Sequence, residues 1–102
     1  MAFYTDNFLS KQRMWLLHNI EKVQAFVGSV WYTGDIQKKK LEGNKVVLHV
    51  VFPELTEMSC TIASIRVIDI DGETAAQKSE NITKAAGQGV LIKLELPITE
   101  EV

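Results

Sequence analysis

The chain has 102 residues, 46% of them apolar and 24% charged, with 6 Gly, 2 Pro and a single Cys. That length suits one domain with a core of its own, and the composition excludes disordered, collagen-like and disulfide-scaffold classes. Eleven Lys/Arg against 13 Asp/Glu leave a formal charge of −2, the wrong sign for a nucleic-acid binder held by counterion release.

Residues 1–9 show no periodicity and read as a loose lead-in. Ser10 is the expected N-cap of a helix spanning 10–27, in which Leu16, Ile20, Val23 and Val27 recur at helical spacing and Gly28 ends the run. The β-branched and aromatic texture from Val23 to Tyr32 leaves a strand as the alternative for the tail of this helix. After Gly34 the period becomes two. A lysine-bearing strand, Asp35 to Leu41, turns at Glu42-Gly43-Asn44 into Lys45 to Phe52, where Val46, Leu48, Val50 and Phe52 share one face. Val47, His49 and Val51 share the other, so cover on both sides is expected. Pro53 ends this strand, and Lys38-Lys39-Lys40 marks its partner as a charge-protected edge.

Thr61 to Ile70 forms the next strand. Asp71-Gly72 is the strongest hairpin signal in the chain, and Glu73 to Ser79 returns. Lys84 to Gly89 reads as a flexible connection. Val90, Ile92, Leu94, Leu96 and Ile98 then alternate with Leu91, Lys93 and Glu95 as a half-buried strand. The predicted fold is therefore α+β and mostly β: one domain over 1–102, with an N-terminal helix packed on a twisted antiparallel sheet or β-sandwich of five to six strands spanning 30–98. Leu48 and Ile92 are expected in the core and Lys39 in solvent.

Reactive clusters are sparse. Cys60 and His49 lack an orienting third residue, and a free Cys is usually a small buried apolar group. His18 and His49 have no metal-ligand spacing. The alternating carboxylates Asp69, Asp71 and Glu73 are the weak candidates for a divalent ion, but their spacing fails the EF-hand pattern, and a hairpin explains the Asp-Gly pair without an ion. Gly87-Gln88-Gly89 leads into a strand, opposite to the order a dinucleotide site needs. No catalytic residue, cofactor or metal is assigned, and no enzyme activity is expected.

One feature has functional content. Met14-Trp15-Leu16-Leu17 spreads apolar side chains around nearly a full helical turn, more than one packing face hides. With Trp31, the residues Met14, Trp15 and Leu16 are the candidate interaction residues. Charge is uneven: residues 1–50 carry seven Lys/Arg against four Asp/Glu, and residues 51–102 carry four against nine. Such a dipolar chain favours head-to-tail contact.

The expectation is a non-enzymatic interaction or structural module. It self-associates as a homo-oligomer or docks on a protein partner in a larger assembly, such as a phage- or prophage-type accessory subunit. The alternative is a small-ligand or divalent-ion domain using the Asp69–Glu73 turn. With no apolar run longer than the four residues from Met14, no membrane span is expected. An unpaired thiol and the lack of a leader pattern at residue 1 point to the cytoplasm, or to a virion or other particle.

Overall fold

A computed structural model describes residues 3–99. The order is α1 (Asp6–Asn19), β1 (Ile20–Val27), β2 (Val30–Thr33), β3 (Asp35–Glu42), β4 (Lys45–Val51), a short 3-10 turn (Pro53–Leu55), β5 (Cys60–Asp69), β6 (Thr74–Lys84) and β7 (Leu91–Pro97). All strand pairings are antiparallel. A four-stranded sheet runs β2-β1-β5-β6, and a three-stranded sheet runs β3-β4-β7. The mostly-β α+β expectation holds, with seven strands rather than five or six.

The helix lies earlier than the spacing predicts. Thr5, not Ser10, is the N-cap, its hydroxyl accepting the Phe8 N–H at 3.1 Å, so the helix takes in much of the supposed lead-in. It stops at Asn19, and Ile20–Val27 is a strand. The apolar positions Ile20, Val23 and Val27 fit a helical count, but β-branching and the pairing of β1 with both β2 and β5 decide for extended backbone. Gly28 turns the β1–β2 hairpin rather than ending a helix.

The core lies between the sheets. Val23, Ala25 and Val27 of β1 and Ile62, Ile65 and Val67 of β5 face Val46, Leu48 and Val50 of β4 and Ile92 and Leu94 of β7. Phe52 and Leu55 close the end away from the helix. Two apolar side chains are buried on outer faces. Val47 has Lys40 and Glu95 directly across from it, and Ile68 has Lys22 and Thr74, so long or polar neighbours with aliphatic stems lie on either side. Thus β4 is covered on both faces at Val47, while His49 and Val51 on the outer face are half-buried. On the same outer face Lys45 donates to Glu95 at 2.8 Å. That hydrogen bond holds the Glu95 carboxyl below its ordinary range and raises the Lys45 ammonium above its own.

The chain passes from one sheet to the other at Gly34, whose N–H is bonded to the Val23 carbonyl at 2.9 Å. The triple lysine lies on β3, an edge strand, as its charge pattern predicts. The β5–β6 hairpin is longer than the two-residue turn that Asp71-Gly72 implies. The Asp69 carboxylate accepts the N–H groups of Asp71 (2.9 Å) and Glu73 (3.0 Å), and only Gly72 takes positive φ. The return strand extends through Lys84, well past Ser79.

Ile92→Ala is expected to cost about 2 kcal/mol, near the low end for a core truncation because Ile92 stands on an edge strand. Lys39→Ala is expected to change stability by less than about 0.5 kcal/mol. Chemical denaturation of both variants checks this contrast, and equal midpoint shifts would contradict the buried and exposed assignments.

Candidate docking site at the helix end

The helix covers one open end of the sandwich and is fixed there at three points. Arg13 Nε donates to the carbonyls of Asn44 and Ile98, each at 3.0 Å, and its Nη2 reaches Ile98 at 2.7 Å. The helix is thereby tied to the β3–β4 turn and to the end of β7. Asn19 closes the helix, its side-chain amide donating to the Trp15 carbonyl at 2.6 Å, while its own carbonyl accepts the Ile70 N–H at 3.0 Å. Leu16 and Leu17 pack against the core. No helical residue is fully buried.

Away from that contact, three large apolar side chains of the helix stay exposed among Lys11, Gln12 and His18. Trp15 is 53% exposed, Phe8 43% and Met14 39%. Phe8 stacks on Tyr4 with ring centroids 4.9 Å apart, and Tyr4 meets Phe3 edge-on at 5.3 Å. These aromatics extend the Trp15 face towards the helix start. A reading that takes residues 1–9 as a lead-in misses them, although Phe8 and Trp15 are seven apart and Thr5 carries an N-cap side chain.

Beside Trp15 the sandwich is open. Strands β6 and β7 are edges of their respective sheets, and the gap between them forms an apolar cleft of about 550 Å³. Gln12, Trp15 and Leu16 form its helical wall, with Ala76 of β6 and Leu96 of β7 opposite. A smaller hollow of about 160 Å³ continues it between β6 and β7, over Ile65 and Leu94. Apolar concavity with few polar groups is suited to holding a side chain or chain segment.

Of the four candidate interaction residues, Trp15 and Leu16 line the cleft, Met14 is exposed on the helix outside the cleft lining, and Trp31 lies on another surface. Trp31 lies on the outer face of the four-stranded sheet, with its ring 4.8 Å from that of Phe26. Strand alternation sends Phe26 and Trp31 outward, away from the core between the sheets. Cys60 packs against the core, His49 lies on the outer side of β4, and His18 is exposed on the helix, so thiol and imidazoles occupy separate elements. Among the described residues no three His, Cys, Asp or Glu side chains form a metal-holding group, the Asp69, Asp71 and Glu73 carboxylates included. Among them too, no helix is long and apolar enough to cross a membrane.

The chain matches no protein-family model, no curated protein and no solved structure.

Proposed function

We propose that the protein is a non-enzymatic interaction module that self-associates, or docks on a larger assembly, through the helix end of its sandwich. One observation carries this reading: Trp15, more than half exposed, stands beside an open apolar cleft at the junction of α1, β6 and β7. An exposed large aromatic next to unfilled apolar concavity loses most water contact only when a second surface covers it. Aromatic residues flanked by less critical contacts are also the usual energetic centres of protein interfaces. A second copy brings the same face, with Phe8, Met14 and Trp15 as its knobs, which is the self-complementary arrangement that a two-fold interface requires.

Size-exclusion chromatography with light scattering tests it. Mass is expected to rise with concentration into the high micromolar range, and Trp15→Ala is expected to hold the protein at monomer mass with its melting unchanged. A monomer at every concentration, indifferent to Trp15→Ala, would overturn the self-association reading.

A further inference from the structure

The outer face of the four-stranded sheet carries a second, independent arrangement. Arg66 of β5 lies flat on Trp31, its guanidinium carbon 3.9 Å from the ring centroid. Its Nε donates to Gln24 Oε1 at 2.8 Å, and Gln24, only 9% exposed, is itself held by a bond from its Nε2 to Thr33 Oγ1 at 3.1 Å. The chain of contacts Thr33–Gln24–Arg66–Trp31 fixes the plane of the guanidinium, and it uses one of five N–H donors.

Among the described residues the terminal nitrogens of Arg66 have no carboxylate partner. The ion pairs of the described residues all involve lysines: Lys40–Glu42, Lys45–Glu95, Lys78–Glu80 and Lys93–Glu95. In the sheet register Gln24 and Gln77 stand directly across from Arg66, and Lys22, Phe26 and Ser79 lie diagonal to it, with no Asp or Glu among them. Arg13, by contrast, directs both Nε and Nη2 to backbone carbonyls. In a chain of net charge −2, an arginine braced on an indole and surrounded by amides, hydroxyls and a second cation is an uncompensated positive centre.

We infer that this face binds an acidic peptide segment of a protein partner, one Asp or Glu carboxylate docking on the free fork of Arg66. Charge complementarity selects the carboxylate, and the planar fork matches it with two parallel hydrogen bonds. A phosphate dianion is less well served, because Lys22 is the single other cation nearby and the surrounding backbone N–H groups are engaged in the sheet. Phe26 and Trp31 offer apolar contact to the residue beside the carboxylate, and Ser64 and Gln77 offer hydrogen bonds along the strip.

The test is a two-dimensional NMR titration of the full chain, following the Trp31 indole N–H and the Arg66 Nε–H. The probes are a blocked pentapeptide Gly-Val-Glu-Val-Gly, its Gln counterpart, and inorganic phosphate at matched ionic strength. The Glu peptide is expected to shift both signals to saturation. Its Gln counterpart is expected to bind about tenfold more weakly, the loss of one charge-assisted fork. Phosphate is expected to move neither signal. Arg66→Lys keeps the charge but not the fork, and is expected to weaken the Glu peptide by about tenfold as well. Equal response to Glu and Gln peptides, no response to either, an equal response to phosphate, or unweakened binding by a folded Arg66→Lys variant would each overturn the inference. The wild-type arms decide it even if that variant does not fold.

Discussion

Lys84→Met is expected to lower stability by about 2 kcal/mol and to loosen one end of the sandwich before the rest. Lys84 is 4% exposed and makes no ion pair among the described residues. Its ammonium is instead ringed by backbone carbonyls: Leu55 at 2.6 Å, Thr56 at 3.2 Å, Ala85 at 2.9 Å, and Met58. Burying a charge costs several kcal/mol, and convergent carbonyl dipoles offset that cost in place of a counter-ion. Methionine keeps the apolar stem and removes the donor. The Leu55 and Thr56 carbonyls retain second partners in the N–H groups of Met58 (3.1 Å) and Gly87 (2.8 Å). The Met58 carbonyl loses the ammonium with no other bond to fall back on, and an orphaned group costs about 1–3 kcal/mol, whereas the Ala85 carbonyl keeps the Gln88 N–H at 3.2 Å. Loss of the other ammonium bonds and relief of the ammonium's own desolvation act in opposite directions, which sets the net effect near the middle of that range. Denaturant melts give the magnitude, and amide hydrogen exchange gives the place: protection is expected to fall first at Met58 and Gly87. A loss below about 1 kcal/mol would mean that water replaces the ammonium among the carbonyls.

That lysine shows where sequence reading stops. Lys84-Ala85-Ala86-Gly87-Gln88-Gly89 has the composition of a mobile loop, and a lysine there reads as solvated. What buries it is the pairing of Lys84 with Cys60 at the end of β5–β6, which sets the ammonium under the Pro53–Leu55 turn some thirty residues away in sequence. No local pattern contains that contact. Period-two segments were legible because one face of each strand meets the core: Val90–Ile98 alternates as its burial does, and Val46–Phe52 does so except at Val47, which is buried on the outer face. The helix was legible as an element but not in extent, since β1 carries β-branched residues whose spacing also satisfies a helical count. Of the docking end, Met14, Trp15 and Leu16 were readable from crowding around one turn, whereas the cleft was not, because it depends on β6 and β7 being neighbouring edges of different sheets. The Arg66–Trp31 contact was invisible for the same reason: its partners come from β2 and β5, which flank β1 without pairing each other.

Phe52→Ala is expected to cost about 3–5 kcal/mol, and Gly34→Ala is expected to cost about 1–3 kcal/mol through the same contact. Phe52 is among the largest fully buried side chains, and it follows directly on β4, where the strand gives way to the Pro53–Leu55 turn. Truncation removes the ring's transfer free energy and leaves a cavity between sheets that cannot fully collapse. Gly34 is why the ring fits. At the crossing from β2 to β3, a Cβ on residue 34 would lie 2.7 Å from Phe52 Cε1 and 2.7 Å from Val50 Cγ1, inside any van der Waals separation. The glycine therefore serves close packing: its φ is not in the left-handed region, and it gives the backbone room to pass beneath an aromatic ring. The two substitutions are expected to be coupled. In a Phe52→Ala background the added methyl at residue 34 meets only Val50, and part of the empty volume receives it. The double variant is then expected to be more stable than the sum of the single losses by about 1 kcal/mol. Four denaturation curves close this cycle. Strict additivity would place the Gly34 cost in the Val50 contact or in the backbone and would remove Phe52 as the reason for glycine at this position.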